Sequence, residues 1–314
     1  MRALVTGAAG FVGANLVRRL LAEADAVHAL VRPGGDCWRL AEIAAEVDVR
    51  DADLRDADAV AGAFAGVRPD VVFHLGTRGA YSWHADAREI IETNVLGTAN
   101  VLDAFVRTEA ATLVNTGSSS EYGFKDHASA ESERLEPNSV YGVAKAAATL
   151  LSSSVARERG LAVTTLRLYS VYGPWEEPGR FVPALVEAGL RGTLPALASP
   201  SVARDFVWVG DVVDAYRLAA SASAPGAGAV YNVGSGSQMT LADAVDAARR
   251  VLGVTEEPSW GSMADRSWDV DVWLADVSKI ERELGWRPAV PFDEGLSRTA
   301  EWLRSDAGVR ERYR

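Results

Sequence analysis

The feature that most constrains this chain stands at its start. An apolar run from Ala3 to Thr6 leads into Gly7-Ala-Ala-Gly10-Phe-Val-Gly13, and Phe11 to Ala22 continues with apolar residues at helical spacing. A strand, a glycine turn and a helix in that order form a backbone cradle. Such a turn sets N–H groups and the positive end of the helix dipole against a pyrophosphate, which side chains larger than hydrogen would keep away. Gly7, Gly10, Phe11, Val12 and Gly13 are therefore candidate cofactor contacts. The spacing is G-x-x-G-x-x-G rather than the commonest dinucleotide fingerprint, and glycines at strand-to-helix turns also serve backbone geometry alone.

Strands at about 3–6, 26–31, 46–49, 70–74, 111–116 and 162–168 alternate with helical patterns. Right-handed βαβ units and a doubly wound parallel sheet, an α/β Rossmann fold, account for that alternation most economically. Four of the strands read as continuous apolar runs, as strands covered on both faces do. After Gly173-Pro174 the alternation is lost and Gly, Pro and Trp increase. The expectation is a dinucleotide-binding domain over 1–168 plus 203–235, and a smaller C-terminal substrate-binding lobe over 169–202 plus 236–314. Asp205 to Val209 and Val230 to Val233 read as short strands returning to the main sheet, and Trp175, Trp208, Trp268, Trp273 and Trp286 as the smaller lobe's core.

A second motif, Tyr141-Gly-Val-Ala-Lys145, lies in a helix expected over Val140 to Arg159 and closed by Gly160. Its Tyr and Lys share one helix face, and an ammonium beside a phenol favours phenolate, lowering the phenol towards the range of a general acid or base. Alone, this pair is common on solvated helices. Upstream, however, the strand Ala111 to Thr116 runs into Gly117-Ser118-Ser119-Ser120-Glu121-Tyr122-Gly123, placing hydroxyls at the carboxyl end of a strand, where doubly wound sheets bind ligands. Serines there also act as turn formers. With Tyr141 and Lys145 they make a coherent acid/base site.

Bulk properties narrow the class. With 314 residues, 48% of them hydrophobic, the chain can bury a substantial core. A net charge of −11 argues against nucleic acid as a general partner. The single cysteine, Cys37, leaves no internal disulfide to form, no signal-peptide pattern opens the sequence, and no apolar run reaches a membrane span, so a cytoplasmic location away from membranes is expected. His28, His74, His84 and His127 lack metal-ligand spacing, so no metal is expected; His74 reads as a satisfied core residue, and Trp83-His84 as helix-start packing or an overhang above a ligand.

Taken in order, these motifs resemble the extended short-chain dehydrogenases/reductases, the NAD-dependent epimerase/dehydratase family, in the branch acting on nucleotide-activated sugars. The resemblance runs from Met1 to about Leu303 and includes Asp70-Val-Val-Phe-His-Leu-Gly76, Asn94-Val-Leu-Gly-Thr-Ala-Asn100, Arg167-Leu-Tyr-Ser-Val-Tyr-Gly-Pro174 and Arg204-Asp-Phe-Val-Trp-Val-Gly-Asp211. Tyr231-Asn-Val-Gly-Ser-Gly236, Ala275-Asp-Val-Ser-Lys-Ile and Leu284-Gly-Trp-Arg-Pro288 complete it.

The resemblance implies Ser118, Tyr141 and Lys145 as catalytic residues. It adds Asp48 and Val49 against adenine, and Leu75, Gly76 and Asn94 as further cofactor contacts. Arg204 and Arg266 would hold a substrate diphosphate, for which a guanidinium fork is suited. Arg78, Ser119, Ser120 and Ser170 join them as substrate contacts, although relatives often carry Asn where Ser170 stands. Phe181 and Val182 either border the nucleotide base or pack in the core. Relatives pair through the helices Ala85 to Thr108 and Val140 to Arg159, which implies a homodimer, and the sugar nucleotide lies between the lobes.

The cofactor reading turns on Arg32. Dinucleotide sites usually place an acid about 20 residues after the glycine turn, whereas an arginine there can meet a 2′-phosphate. Strand Ala26 to Val31 ends in Arg32 with no acid before Asp36, which favours NADP(H), with NAD(H) as the alternative. Dehydratase relatives carry acids where this chain has Ser119 and Ser120, which disfavours a 4,6-dehydratase unless Glu121 takes that role. A 4-ketoreductase of 4-keto-6-deoxy sugars is the preferred expectation and a 4-epimerase the alternative. A nucleotide-sensing protein without catalysis is the reading from outside the enzymes, and the retained Ser, Tyr and Lys speak against it.

Overall fold

The structure, a computed structural model, describes residues 1–23, 26–81, 84–221, 226–263 and 270–314. Seven parallel strands form the central sheet: β1 (Arg2–Thr6), β2 (Ala26–Val31), β3 (Asp48–Asp51), β4 (Val71–His74), β5 (Thr112–Ser118), β6 (Ala162–Leu168) and a late edge strand (Ala229–Val233). Numbered with the short strands β7 (Ser170–Tyr172), β8 (Ala203–Arg204) and β9 (Phe206–Trp208), that edge strand is β10, and β11 is Met239–Thr240. The order β10-β6-β5-β4-β1-β2-β3 reverses at β1, which pairs with both β2 and β4. The reversal opens a crevice at the strands' carboxyl ends, where open α/β sheets hold ligands.

Helices cover both faces. The helices of the described residues are α1 (Phe11–Ala22), α2 (Ala57–Val67), α3 (Ala87–Ile91), α4 (Gly97–Val106), α5 (Val140–Arg159), α6 (Phe181–Gly189), α7 (Val209–Ala220), α8 (Leu241–Leu252), α9 (Ser278–Leu284), α10 (Phe292–Ser305) and α11 (Ala307–Glu311), of which α6, α8, α10 and α11 pack together in an apolar cluster of their own. Alternation along β1 shows how the layers close. Ala3 and Val5 pack with Leu16, Val17 and Leu20 of α1 and with Val212 and Tyr216 of α7. Leu4 points the other way, into Phe64 of α2, Leu102 and Phe105 of α4 and Ala156 of α5. Burial on both sides is why these strands read as unbroken apolar runs. Truncating a fully buried leucine such as Leu16 or Leu102 to alanine costs about 2–5 kcal/mol.

Three expectations change. The helix expected over 85–108 is interrupted: α3 passes through a π-helical turn, Glu92–Leu96, into α4. The strand expected at 205–209 does not return to the main sheet; β9 pairs in parallel with β7 in a separate two-stranded sheet, while β8 pairs with β11. The tryptophans divide. Trp175 and Trp208 sit in an apolar cluster with Tyr172, Leu185, Leu296 and Leu303, Trp286 packs into the core beneath the main sheet, and Trp273 lies against Tyr169. Trp268 is outside the described residues. As expected, β10 joins the main sheet beside β6.

Candidate active site

The turn after β1 is built for close approach. Gly7 has φ +67°, and a Cβ there would stand 2.6 Å from the Gly76 nitrogen; a Cβ on Gly13 would stand 2.2 Å from the Gly7 carbonyl oxygen. Both must be glycine for β1, β4 and α1 to meet. Gly10 begins α1 with no side-chain cap, and no acid occupies the first turn, so Phe11, Val12 and Gly13 bring unspent N–H groups and the positive end of a twelve-residue helix to the crevice. This bare, uncapped cradle fits a dinucleotide pyrophosphate.

Across the crevice, Leu75 and Gly76 leave β4, with the Gly76 N–H donating to Thr6 Oγ1 at 3.1 Å. Asn94 is buried in the π-helical turn and spends its amide on the loop after β4: Oδ1 accepts from Thr77 Oγ1 (3.1 Å) and from the Arg78 N–H (2.8 Å), and Nδ2 donates to the Arg78 carbonyl (2.6 Å). Arg78 in turn donates to Glu89 at 3.0 Å. His74 is the satisfied core residue expected, between Thr6 (2.7 Å) and Thr98 (3.0 Å), and burial lowers its pKa to about 3. His84 Nδ1 accepts from the Gly79 N–H at 3.0 Å. Trp83 lies outside the described residues.

The hydroxyl-phenol pair converges. Ser118, the last residue of β5, caps the short turn Ser119–Glu121, its Oγ accepting from the Ser120 N–H at 3.2 Å. The half-buried Tyr141 phenol stands on α5 where the hydroxyls of Ser118 and Thr77 act on it. Burial is the largest influence on this phenol and raises its pKa, and the two hydroxyls pull it back down. Lys145 departs from the expectation. It is buried, its Nζ donates to the Thr116 carbonyl rather than to the phenol, and burial lowers its pKa to about 8. Here the phenol is governed by desolvation and hydroxyl contacts, so it is protonated at neutral pH.

Behind Ser118, Glu121 is wholly buried. It accepts from the Ser118 N–H (2.8 Å), Thr149 Oγ1 (2.9 Å) and Arg167 Nε (2.7 Å). Both oxygens are engaged, so this carboxylate is not free to act on a substrate as the displaced dehydratase acid would. Ser119 is buried and Ser120 half-buried beside it.

Asp48 and Val49, expected at the end of the third strand, open it instead. They are the first two residues of β3, at the edge of the sheet opposite the glycine turn, where Asp48 accepts from His28 Nδ1 at 2.8 Å and from Arg50 at 2.7 Å. Asp53 and Leu54 stand past the carboxyl end instead. Leu54 Cδ1 lies 2.4 Å from where a Cβ on Gly76 would be, and Asp53 lies within the field of Arg32. The signal was present in the sequence: Asp48-Val-Arg-Asp51 is followed at once by Asp53-Leu-Arg-Asp56, and only the second copy ends in a helix cap, Asp56. Arg32 follows β2, largely exposed, 3.8 Å from Glu89.

Of the substrate-contact candidates, Arg204 ends β8, with its guanidinium 5.9 Å from the Trp273 ring centre. Its neighbour Asp205 is fully buried and accepts from the N–H groups of Ala275 (3.0 Å) and Gly236 (3.2 Å). Ser170 starts β7, and its N–H donates to the Asp205 carbonyl at 3.0 Å. Phe181 stacks on Phe206 at 6.1 Å. Val182 is 2% exposed within the second apolar cluster, so core packing is its role. Arg266 lies outside the described residues.

Comparison with known proteins agrees with this geometry. The model of the NAD dependent epimerase/dehydratase family matches residues 3–234. A UDP-glucose 4-epimerase of Mycolicibacterium smegmatis is 31% identical, covering 97% of this chain and 99% of its own. The crystal structure of a UDP-glucose 4-epimerase from Thermotoga maritima with UDP-glucose superposes with a TM-score of 0.88 at 28% identity, covering 97% of this chain and 99% of that one. A dTDP-glucose 4,6-dehydratase of Streptomyces venezuelae with NAD bound gives 0.87 at 33% identity, covering 98% of each chain. The chain belongs to the NAD-dependent epimerase/dehydratase family, the nucleotide-sugar enzymes of the extended short-chain dehydrogenases/reductases.

Proposed function

We propose that this enzyme carries out redox chemistry at C4 of a nucleoside-diphosphate sugar, and that it is an NADP(H)-dependent 4-ketoreductase acting on a 4-keto-6-deoxyhexose. The observation that carries the reading is the meeting of Ser118 and Tyr141 at the carboxyl edge beside Lys145, with no free carboxylate among residues 118–121. A protonated phenol is the form a ketone reduction needs. Tyr141 gives its proton to the C4 oxygen as charge develops there, and the Ser118 hydroxyl donates a second hydrogen bond to that oxygen. Gly7, Gly10 and Gly13 would hold a nicotinamide coenzyme, whose hydride to C4 and the Tyr141 proton to the oxygen would together complete the alcohol. Lys145 lies one turn further along α5 with its Nζ on the Thr116 carbonyl, and its charge would stabilise the phenol's conjugate base as the proton leaves.

Arg32 in place of the usual acid supports NADP(H), and Arg204 and Arg266 are proposed to take the substrate diphosphate. A 4-epimerase retaining NAD is the second reading, favoured by the UDP-glucose 4-epimerase relatives and the NAD-bound neighbours. It uses the same Ser, Tyr and Lys. Denaturing the purified protein and identifying released coenzyme, then incubating fresh enzyme with UDP-, GDP-, CDP- and dTDP-sugars and their 4-keto-6-deoxy forms, separates them. Stoichiometric NADPH oxidation on a keto sugar is the expected result. Retained NAD with coenzyme-neutral turnover selects the epimerase, and no turnover on any of them refutes both.

The proposed homodimer would form on the face shared by α3, the π-helical turn and α5, where Ile91, Leu96, Val143 and Leu150 are exposed. Leu150→Glu should convert a dimer to a monomer in sedimentation analysis.

A further inference from the structure

Tyr141, Lys145 and Thr149 occupy successive turns on one face of α5. The first two point to the chemistry. The third reaches Glu121, whose carboxylate is tied to three elements at once: the Ser118 N–H at the end of β5, Thr149 on α5, and Arg167 on β6. Arg167 is itself buried and held, its second nitrogen donating to Tyr122 Oη at 2.8 Å, while Tyr122 donates to Asn232 on β10 at 2.7 Å. Gly117 belongs to the same design, because a Cβ there would stand 2.7 Å from the Glu121 Oε1. The backbone N–H and the guanidinium are obligate donors and favour the ionised carboxylate, against the burial that pushes its pKa up.

We propose that Glu121 is a positioning residue of the reaction. It fixes the catalytic hydroxyl of Ser118 in register with the Tyr141–Lys145 face of α5, and its charge holds Lys145 in the ammonium form. This rests on the catalytic assignment of Ser118, Tyr141 and Lys145 above.

Arg167, the Ser118 N–H and Thr149 pull the Glu121 carboxyl down against its burial. Burial lowers the Lys145 pKa to about 8, and Glu121 is the charge that opposes it. Among the described residues, Glu121 is the one charge that acts on Lys145. His74 on β4 is kept neutral by burial, Tyr141 on α5 and Tyr216 on α7 are phenols raised by burial, and Arg167 on β6 is paired to Glu121 itself. Without the carboxylate, a buried ammonium would lose its proton in the working pH range.

The chain has three lysines, Lys125, Lys145 and Lys279, so its lysine side chains can be followed one by one. Carbon-13 lysine labelling with an NMR pH titration, the Lys145 signal assigned by its loss in Lys145→Arg, reads the proton on that group without any substrate. In Glu121→Gln the Lys145 midpoint should fall by about one pH unit or more, with Lys125 and Lys279 unmoved. Because this change strands Arg167, the double variant Glu121→Gln/Arg167→Met serves as the folded control. A buried ion pair replaced as a pair is tolerated far better than one broken, and its Lys145 midpoint should fall likewise.

A Lys145 midpoint that stays in place in the double variant overturns the proposal. Turnover with dTDP-4-keto-6-deoxyglucose and NADPH separates this from failure of the catalytic assignment. A fully active Tyr141→Phe refutes that assignment, whatever the NMR midpoints do.

Discussion

The corner where β5 meets α5 and the corner where β2 and β3 end are built in opposite ways. At the first, Ser118, Glu121 and Lys145 are each less than a tenth exposed, and every one is tied to named partners. At the second, Arg32 is 56% exposed with its nearest carboxylate 3.8 Å away, and Asp53 is paired locally to Arg55 at 2.6 Å. Exposed pairs are worth about 0–1 kcal/mol and exchange readily, whereas a buried, saturated set moves only as a unit. On the proposed function the difference matches two tasks. Chemistry at an oxygen atom needs a fixed, water-poor geometry, while recognition of a coenzyme's adenosine end needs only charges that can change partners when a phosphate arrives.

The largest effect that could break this contrast comes from Tyr141→Phe. It should lower kcat by about 10²–10⁴ while leaving coenzyme affinity within about twofold, the usual weight of a general acid. Rates from NADPH oxidation and affinity from coenzyme fluorescence quenching read the two quantities separately. An unchanged rate would show that the packed corner is structural only.

A second buried carboxyl sharpens what partners contribute. Glu176 is as buried as the groups around Ser118, yet among the described residues Oε2 has no hydrogen-bond partner, and Arg180 lies 3.5 Å from Oε1. Burial raises its pKa to about 8 from an ordinary 4.5. Between those values the folded protein holds a proton that the unfolded chain has released. Its contribution to stability is therefore complete below pH 4.5, declines as pH rises, and is lost above about 8. Glu176→Gln removes that slope, so the variant should gain on the native protein by on the order of 2–3 kcal/mol between pH 5 and pH 8 in urea unfolding. Parallel stability curves would mean that Arg180 keeps Glu176 ionised throughout.

Arg32→Ala should weaken NADPH binding by about 1–2 kcal/mol and leave NADH nearly unchanged, the lower range for a charged hydrogen bond because the site is open to water. Equal losses for both coenzymes in a fluorescence titration would place no 2′-phosphate at this corner.

Legibility in the sequence follows the same divide. The placement of Ser118 at a strand's carboxyl end and of Tyr141 and Lys145 on one face of α5 could be read because apolar strand runs and helical spacing fix those positions locally. The glycine turn was legible because a Cβ cannot fit at Gly7 or Gly13. What stayed hidden was set by three-dimensional packing. Nothing in Y-x-x-x-K tells that the lysine turns to the Thr116 carbonyl, that Glu121 is clamped from β6, or that Val182 faces inward. The strand at 206–208 pairs with β7 through long-range contacts that alternation alone does not encode.

The smallest expected effect tests the reassigned end of β3. Two similar tetrapeptides, 48–51 and 53–56, offered two registers, and strand pairing of Asp48 with His28 puts the first at the far edge of the sheet. Asp48→Asn should leave affinity for either coenzyme unchanged and cost stability about 0.5 kcal/mol or less, since it loosens only an exposed contact with His28 and Arg50. Asp53→Asn removes a negative charge beside Arg32, so NADPH should bind about two- to fivefold more tightly relative to NADH, a change of roughly 0.5–1 kcal/mol. If instead Asp48→Asn shifts coenzyme affinity and Asp53→Asn does not, the adenosine end lies elsewhere, and the contrast between the two corners loses its exposed half.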